Sequence, residues 1–140
     1  MITTRQVLFF VLLMLLVAST TAAAEKEKPT ETAAPAPVVV YQAKVPIAVE
    51  GHDYDLLTII MDFPTGAGVP KHFHGGPVLV TILSGEMTVK EQGNERIVKT
   101  GESWTEKPGA EHSVVNKGAS VRLAVSMLLP KGGEATTLVK

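Results

Sequence analysis

Two histidines one residue apart in Lys71-His72-Phe73-His74, and a third at position 112, are the side chains best suited to chemistry in this sequence. In an extended strand, side chains two apart share a face. The rings of His72 and His74 are therefore expected to point the same way, with Phe73 turned to the opposite side and into the core. Neutral imidazole is a common donor to zinc, copper, iron and nickel. A catalytic site for such an ion takes about three protein donors, and His112 is the candidate for the third. A set of histidines exposed at a rim, holding no ion, is the alternative reading. The fourth histidine, in Gly51-His52-Asp53, reads as a surface turn residue.

These residues lie in two segments. Gly66 to Gly85 reads GAGVPKHFHGGPVLVTILSG, and Gly101 to Asn116 reads GESWTEKPGAEHSVVN. Together they resemble the two motifs of the cupin superfamily, with Gly66, His72, His74 and Gly85 in register with the first and Gly101, Gly109, His112 and Asn116 with the second. The flanking strand pattern extends the likeness from about Val38 to Leu129. The resemblance implies an all-β fold, a single conical β-barrel of the jelly-roll type, with a divalent metal held by His72, His74 and His112. Iron is the ion implied if the protein is catalytic, while zinc, nickel, copper and manganese also suit.

The sequence departs from the family pattern at two places. The motif proline is displaced to Pro108, and the position of the family's glutamate ligand is Val78. No carboxylate lies within three residues of Val78, so a slip in register does not restore the ligand, and the resemblance implies at most a three-histidine site. Three neutral nitrogens leave a divalent ion its full charge, which favours an anionic or chelating small molecule. Three-histidine iron sites in the superfamily are associated with oxygen-dependent cleavage of diketones and oxidation of thiols. A protein base is not evident: Glu111 is expected to look outward, and Thr81, Ser84 and Asn116 do not take up a proton near neutral pH. An exported metal-dependent oxygenase and a non-catalytic metal or small-molecule binding module both fit. A structural cupin that dimerises without metal is the third reading.

Composition narrows the setting. The chain has 140 residues, enough for one domain. Thr3, Thr4 and Arg5 precede an apolar run from Val7 to Ala18, and small residues end in Ala22-Ala23-Ala24. This is the pattern of a secretory signal peptide, predicted as a helix over residues 1–24 and cleaved after Ala24. An uncleaved membrane anchor is the alternative, although a spanning helix takes about 20 apolar residues. Without Arg5 the 13 basic side chains fall to 12 against 14 acidic ones, two net negative. Nucleic acid, which requires clustered Lys and Arg, is not an expected partner. With no cysteine there is no disulfide framework, thiolate site or lipid-bearing cysteine. The mature protein is expected to be secreted or periplasmic, in contact with a membrane only through the signal segment.

The elements that must position the histidines follow from punctuation and alternation. Residues 25–37, EKEKPTETAAPAP, read as a disordered linker, and 38–140 as the barrel domain. Short β-branched runs broken by Gly, Pro and Asn argue for an all-β sandwich or barrel. Strands are expected over Val38–Tyr41, Lys44–Val49 with Pro46 at an edge, Asp55–Phe63, Val78–Ser84, Met87–Glu91, Arg96–Lys99, His112–Asn116 and Val121–Leu129. Gly101–Thr105 carries Trp104, read as packing rather than substrate stacking. Val78–Ser84 and Asp55–Phe63 are apolar on both parities and are expected to be covered on both faces. Similar proteins dimerise through outer sheet faces, which would cover Leu79 and Leu83. The tail from Pro130 reads as mobile or as an interface arm.

Overall fold

The computed structural model describes residues 33–140. The expected signal segment and most of the linker lie outside the described residues. Ten strands make two five-stranded antiparallel sheets, with no helix among the described residues. The strands are β1 (Val38–Val49), β2 (His52–Phe63), β3 (Gly68–Phe73), β4 (Val78–Ser84) and β5 (Glu86–Glu91), followed by β6 (Asn94–Lys99), β7 (Ser103–Glu106), β8 (His112–Val115), β9 (Val121–Pro130) and β10 (Thr137–Leu138). The first sheet runs β1-β2-β9-β4-β7 and the second β10-β3-β8-β5-β6. This is the all-β jelly-roll barrel that the sequence implies.

Alternation explains the core. On β9 every second residue from Val121 to Leu129 is buried, and the residues between them are not. β2 is held against it in continuous register, from Tyr54 opposite Pro130 to Phe63 opposite Val121, and β4 runs from Val78 opposite Met127 to Ile82 opposite Leu123 before its register shifts at Ser84. Because residues paired across strands share a face, rows of side chains cross the sheet. One inward row is Ile59, Val125, Val80 and Trp104; the next is Leu57, Met127, Val78 and Glu106. Each large apolar member contributes about 1.5–3 kcal/mol on burial. The second row ends on a carboxylate.

Three expectations are corrected. The strands rich in apolar residues on both parities are covered on one side only: Leu79 is 46% and Leu83 44% exposed, and Leu56 on β2 is also exposed. The two N-terminal runs form one strand, β1, with an irregularity between Val39 and Tyr41. It is an edge strand, as Pro46 requires. The tail is not a free arm. Thr137 and Leu138 pair with Phe73 and His72 of β3, and the Val139 N–H donates to Lys71 O.

Candidate metal centre

His112 opens β8, and its Cα partner on the adjacent strand is His72 of β3. Paired residues share a face, so both rings enter the barrel. His74 follows β3 by one residue, and the short loop that holds it is fixed from both sides: Gly109 N–H donates to His74 O, and Gly75 N–H to Glu134 O. All three histidines are buried, and their candidate ligand atoms lie within 4.8 Å of one another. Ring centroids are 4.1 Å apart for His72 and His112, 4.9 Å for His72 and His74 and 5.2 Å for His74 and His112. The structure thus brings together the three residues singled out from the sequence.

The tautomer of each ring is set by the backbone. His72 Nδ1 lies 2.8 Å from Pro70 O, His74 Nδ1 2.5 Å from Ala135 O and His112 Nδ1 3.0 Å from Ala110 O. A carbonyl oxygen only accepts, so each Nδ1 carries the proton. In the neutral ring Nε2 is then an unprotonated lone pair. Three such nitrogens facing one space can hold a metal ion, with the backbone acceptors orienting the ligands.

A fourth polar group shares this space. Glu106, at the end of β7, is 4% exposed. Its Oε1 accepts from Trp104 Nε1 at 2.7 Å and lies 3.0 Å from His112 Nε2. Its Oε2 lies 3.1 Å from His74 Nε2 yet has no hydrogen-bond partner. Proximity without a directed N–H accounts for both observations. Burial pushes the Glu106 carboxyl up, but His112, His74 and the Trp104 N–H outweigh it and hold the group down at about 2. His72 moves down to about 4, chiefly through burial, with the nearby His112 and His74 adding to the shift. Burial also pushes His112 down, but Glu106 dominates and raises it. The carboxylate and two nitrogen lone pairs repel one another unless a cation lies between them, and a proton on Nε2 or a metal ion meets that need.

Glu106 is the residue that sequence reasoning misses. It corrects the expectation that no carboxylate stands near the histidines. The signal lies in Trp104-Thr105-Glu106: on a short strand these two share a face, so a buried Trp104 commits Glu106 to the interior. Identifying its neighbours takes the pairing of β7 with β4, which places Glu106 opposite Val78. Four of the other readings hold, and the placement of Phe73 in the core does not. Glu111 is exposed and pairs with Lys71, and His52 is exposed. Trp104 is core, and Asn116 is fully buried as a hydrogen-bonding anchor. Phe73 turns away from the histidines but is only half-buried.

Beside the histidines lies a cavity of about 150 Å3. Apolar residues make up most of its lining, among them Ile59, Met61, Phe63 and Val125, and Thr136 adds a hydroxyl near His74. A cavity of about this measure accepts a molecule roughly the size of benzene.

An all-β barrel with three buried histidines at one point defines a class of protein. A family model described as Cupin domain matches residues 59–128, half of the chain, and the protein belongs to that family. No curated protein matches the sequence significantly. Among solved structures it is similar to a conserved protein with a double-stranded β-helix domain from Klebsiella pneumoniae, with 20% identity over 72% of this chain and 86% of that one and a TM-score of 0.53. It is also similar to a cupin superfamily protein from Desulfitobacterium hafniense, with 14% identity, 64% and 79% coverage and a TM-score of 0.51. A cupin 2 conserved barrel protein from Leptotrichia buccalis is 25% identical over 64% of this chain and 41% of that one, with a TM-score of 0.51.

Proposed function

We propose that the protein is an exported cupin that holds a divalent metal through His72, His74 and His112 and acts as an oxygenase on a small molecule. The substrate class is a compound with a chelating or anionic group on a largely apolar body. The observation that carries this reading is the convergence of three Nε2 lone pairs, each fixed by a backbone carbonyl, on the polar end of an apolar cavity. When bound, the ion supplies Lewis acidity or redox capacity to a coordinated ligand. The protein's own part is orientation and exclusion of water. The histidines fix the polar end, and the apolar wall selects the body of the ligand. Iron is the ion proposed for catalysis, although the donor set also suits zinc, copper and nickel.

Export is supported by the apolar run from Val7 to Ala18 and the small residues before Glu25. A homodimer is supported by the exposed Leu56, Leu79 and Leu83 on the outer face of the first sheet. Light scattering of the purified chain tests the dimer, and the N-terminal mass of exported material tests cleavage after Ala24.

Metal analysis of the purified protein followed by oxygen uptake with diketones, thiols and catechol-like phenols tests the central reading. Near-stoichiometric metal that disappears in His72→Ala and His112→Ala supports the site, and oxygen uptake that depends on the same histidines supports the enzyme. Metal binding without uptake leaves a binding module, and absence of metal overturns both.

A further inference from the structure

We propose that Glu106 is a fourth protein donor to the ion, supplied by β7; this rests on the three-histidine reading above. Four observations support the assignment independently of family pattern. First, Glu106 Oε2 is buried and has no hydrogen-bond partner, although a buried carboxylate oxygen left unpaired is costly. Second, the carboxylate oxygens lie 3.0 Å from His112 Nε2 and 3.1 Å from His74 Nε2. Nitrogen and oxygen donors bound to one ion at about 2.0–2.2 Å stand roughly 3 Å apart, so this is the spacing of neighbouring ligands.

Third, in the neutral rings both of those nitrogens present lone pairs, because the single proton of each ring sits on Nδ1 and is donated to the backbone. Lone pair facing carboxylate at this distance is unfavourable, and an ion between them reverses the sign of the interaction. Fourth, Trp104 Nε1 donates to Oε1 at 2.7 Å, which restrains the carboxylate and leaves Oε2 unpartnered. An indole N–H has no acceptor capacity and does not compete for the ion. Trp104 is therefore a positioning residue, holding the group that touches the metal.

The assignment changes the chemistry of the centre. Three imidazoles and one carboxylate leave a divalent ion one net positive charge, where three imidazoles alone leave two. A monoanionic ligand then completes neutrality in the apolar cavity, and a dianionic one is disfavoured. The preferred ligand becomes a small monoanion, such as an enolate, a thiolate or a phenolate.

The test is cobalt(II) binding to the purified protein, measured by chelator competition and by the visible absorption of the bound ion. Glu106→Gln keeps the size and the Trp104 contact but removes the charge. It is expected to weaken cobalt binding by at least about tenfold and to change the visible spectrum, with the fold unchanged by circular dichroism. Trp104→Phe is expected to weaken binding less, with rescue at high cobalt to the wild-type spectrum. Wild-type affinity and spectrum in Glu106→Gln overturn the assignment while leaving the histidine site intact. No cobalt binding by the wild type overturns the histidine reading itself. Should Glu106→Gln not fold, the infrared difference between cobalt-loaded and metal-free wild type decides: a shifted carboxylate band supports coordination, and its absence overturns it.

Discussion

Three imidazole protons donated to Pro70 O, Ala135 O and Ala110 O decide what the centre can do, because they turn every Nε2 into a donor for something else. The same groups set the pH response of the metal-free protein. His72 falls from 6.5 to about 4 on folding and Glu106 from 4.5 to about 2. Over both intervals the unfolded chain binds more protons, so stability decreases as the pH falls from about 6.5 towards 2. His112 is raised and has the opposite sign: its contribution is complete below 6.5 and is lost as the pH rises through its folded value. Thermal midpoints of the metal-free protein across pH should therefore show an acid limb, and in Glu106→Gln the part of that limb below 4.5 should shrink. An acid limb unchanged in that variant would contradict the ionised, buried Glu106.

Asn116 is a second residue whose burial is accounted for by its bonds. Its Nδ2 donates to Phe63 O at 2.8 Å and to Ala119 O at 2.5 Å, and its Oδ1 accepts from Gly118 N at 2.9 Å. Those bonds tie the end of β2 to the turn between β8 and β9. Asn116→Ala leaves Phe63 O without its buried partner, at about 1–3 kcal/mol. Denaturant unfolding should show a loss of at least about that size, and a midpoint within error of wild type would refute the anchoring role.

At the scale of elements, the register between β4 and β7 is decisive. Val78 stands opposite Glu106, so the carboxylate on the neighbouring strand enters from the place where β4 offers only a methyl surface. Much of the centre was legible in the sequence, because His72 and His74 share a face by local geometry and His112 lies in a recognisable turn-strand segment. Glu106 was not, because strand pairing is a non-local choice that the alternation of β7 alone does not make. The outer faces of β4 and β2 are open within the chain for a related reason: apolar residues on both parities show that burial is possible, not which element supplies it. Backbone approach is similarly invisible. A Cβ on Gly76 would lie 1.9 Å from Leu128 O and 2.9 Å from its carbonyl carbon, so the chain after His74 passes against β9 with no room for a side chain. Gly76→Ala is expected to destabilise by about 1–3 kcal/mol or more and to weaken metal binding by displacing His74. Unchanged unfolding and metal affinity together would show that the passage is looser than this.

For the described domain as a whole, the site is assembled from distant parts of the sequence and closed by its last residues. β10 pairs with His72 and Phe73, Glu134 O accepts from Gly75 N, and Ala135 O fixes the His74 ring. The tail therefore carries no candidate ligand yet orients one, and it covers the edge of β3 that would otherwise stand open. Edge strands left unpaired invite association with other chains, so one segment serves both the centre and solubility. A chain ending at Gly133 keeps the three histidines and Glu106 but loses the acceptor for His74 Nδ1. Removal of such an outer hydrogen bond typically lowers metal affinity by about 10–100-fold. The shortened protein should show that loss in chelator competition and more association by light scattering, while Thr136→Val, which keeps β10 and Ala135 O, should retain most of the affinity. Wild-type affinity after truncation would mean that the His74 ring is held by its neighbours in the loop and not by the tail.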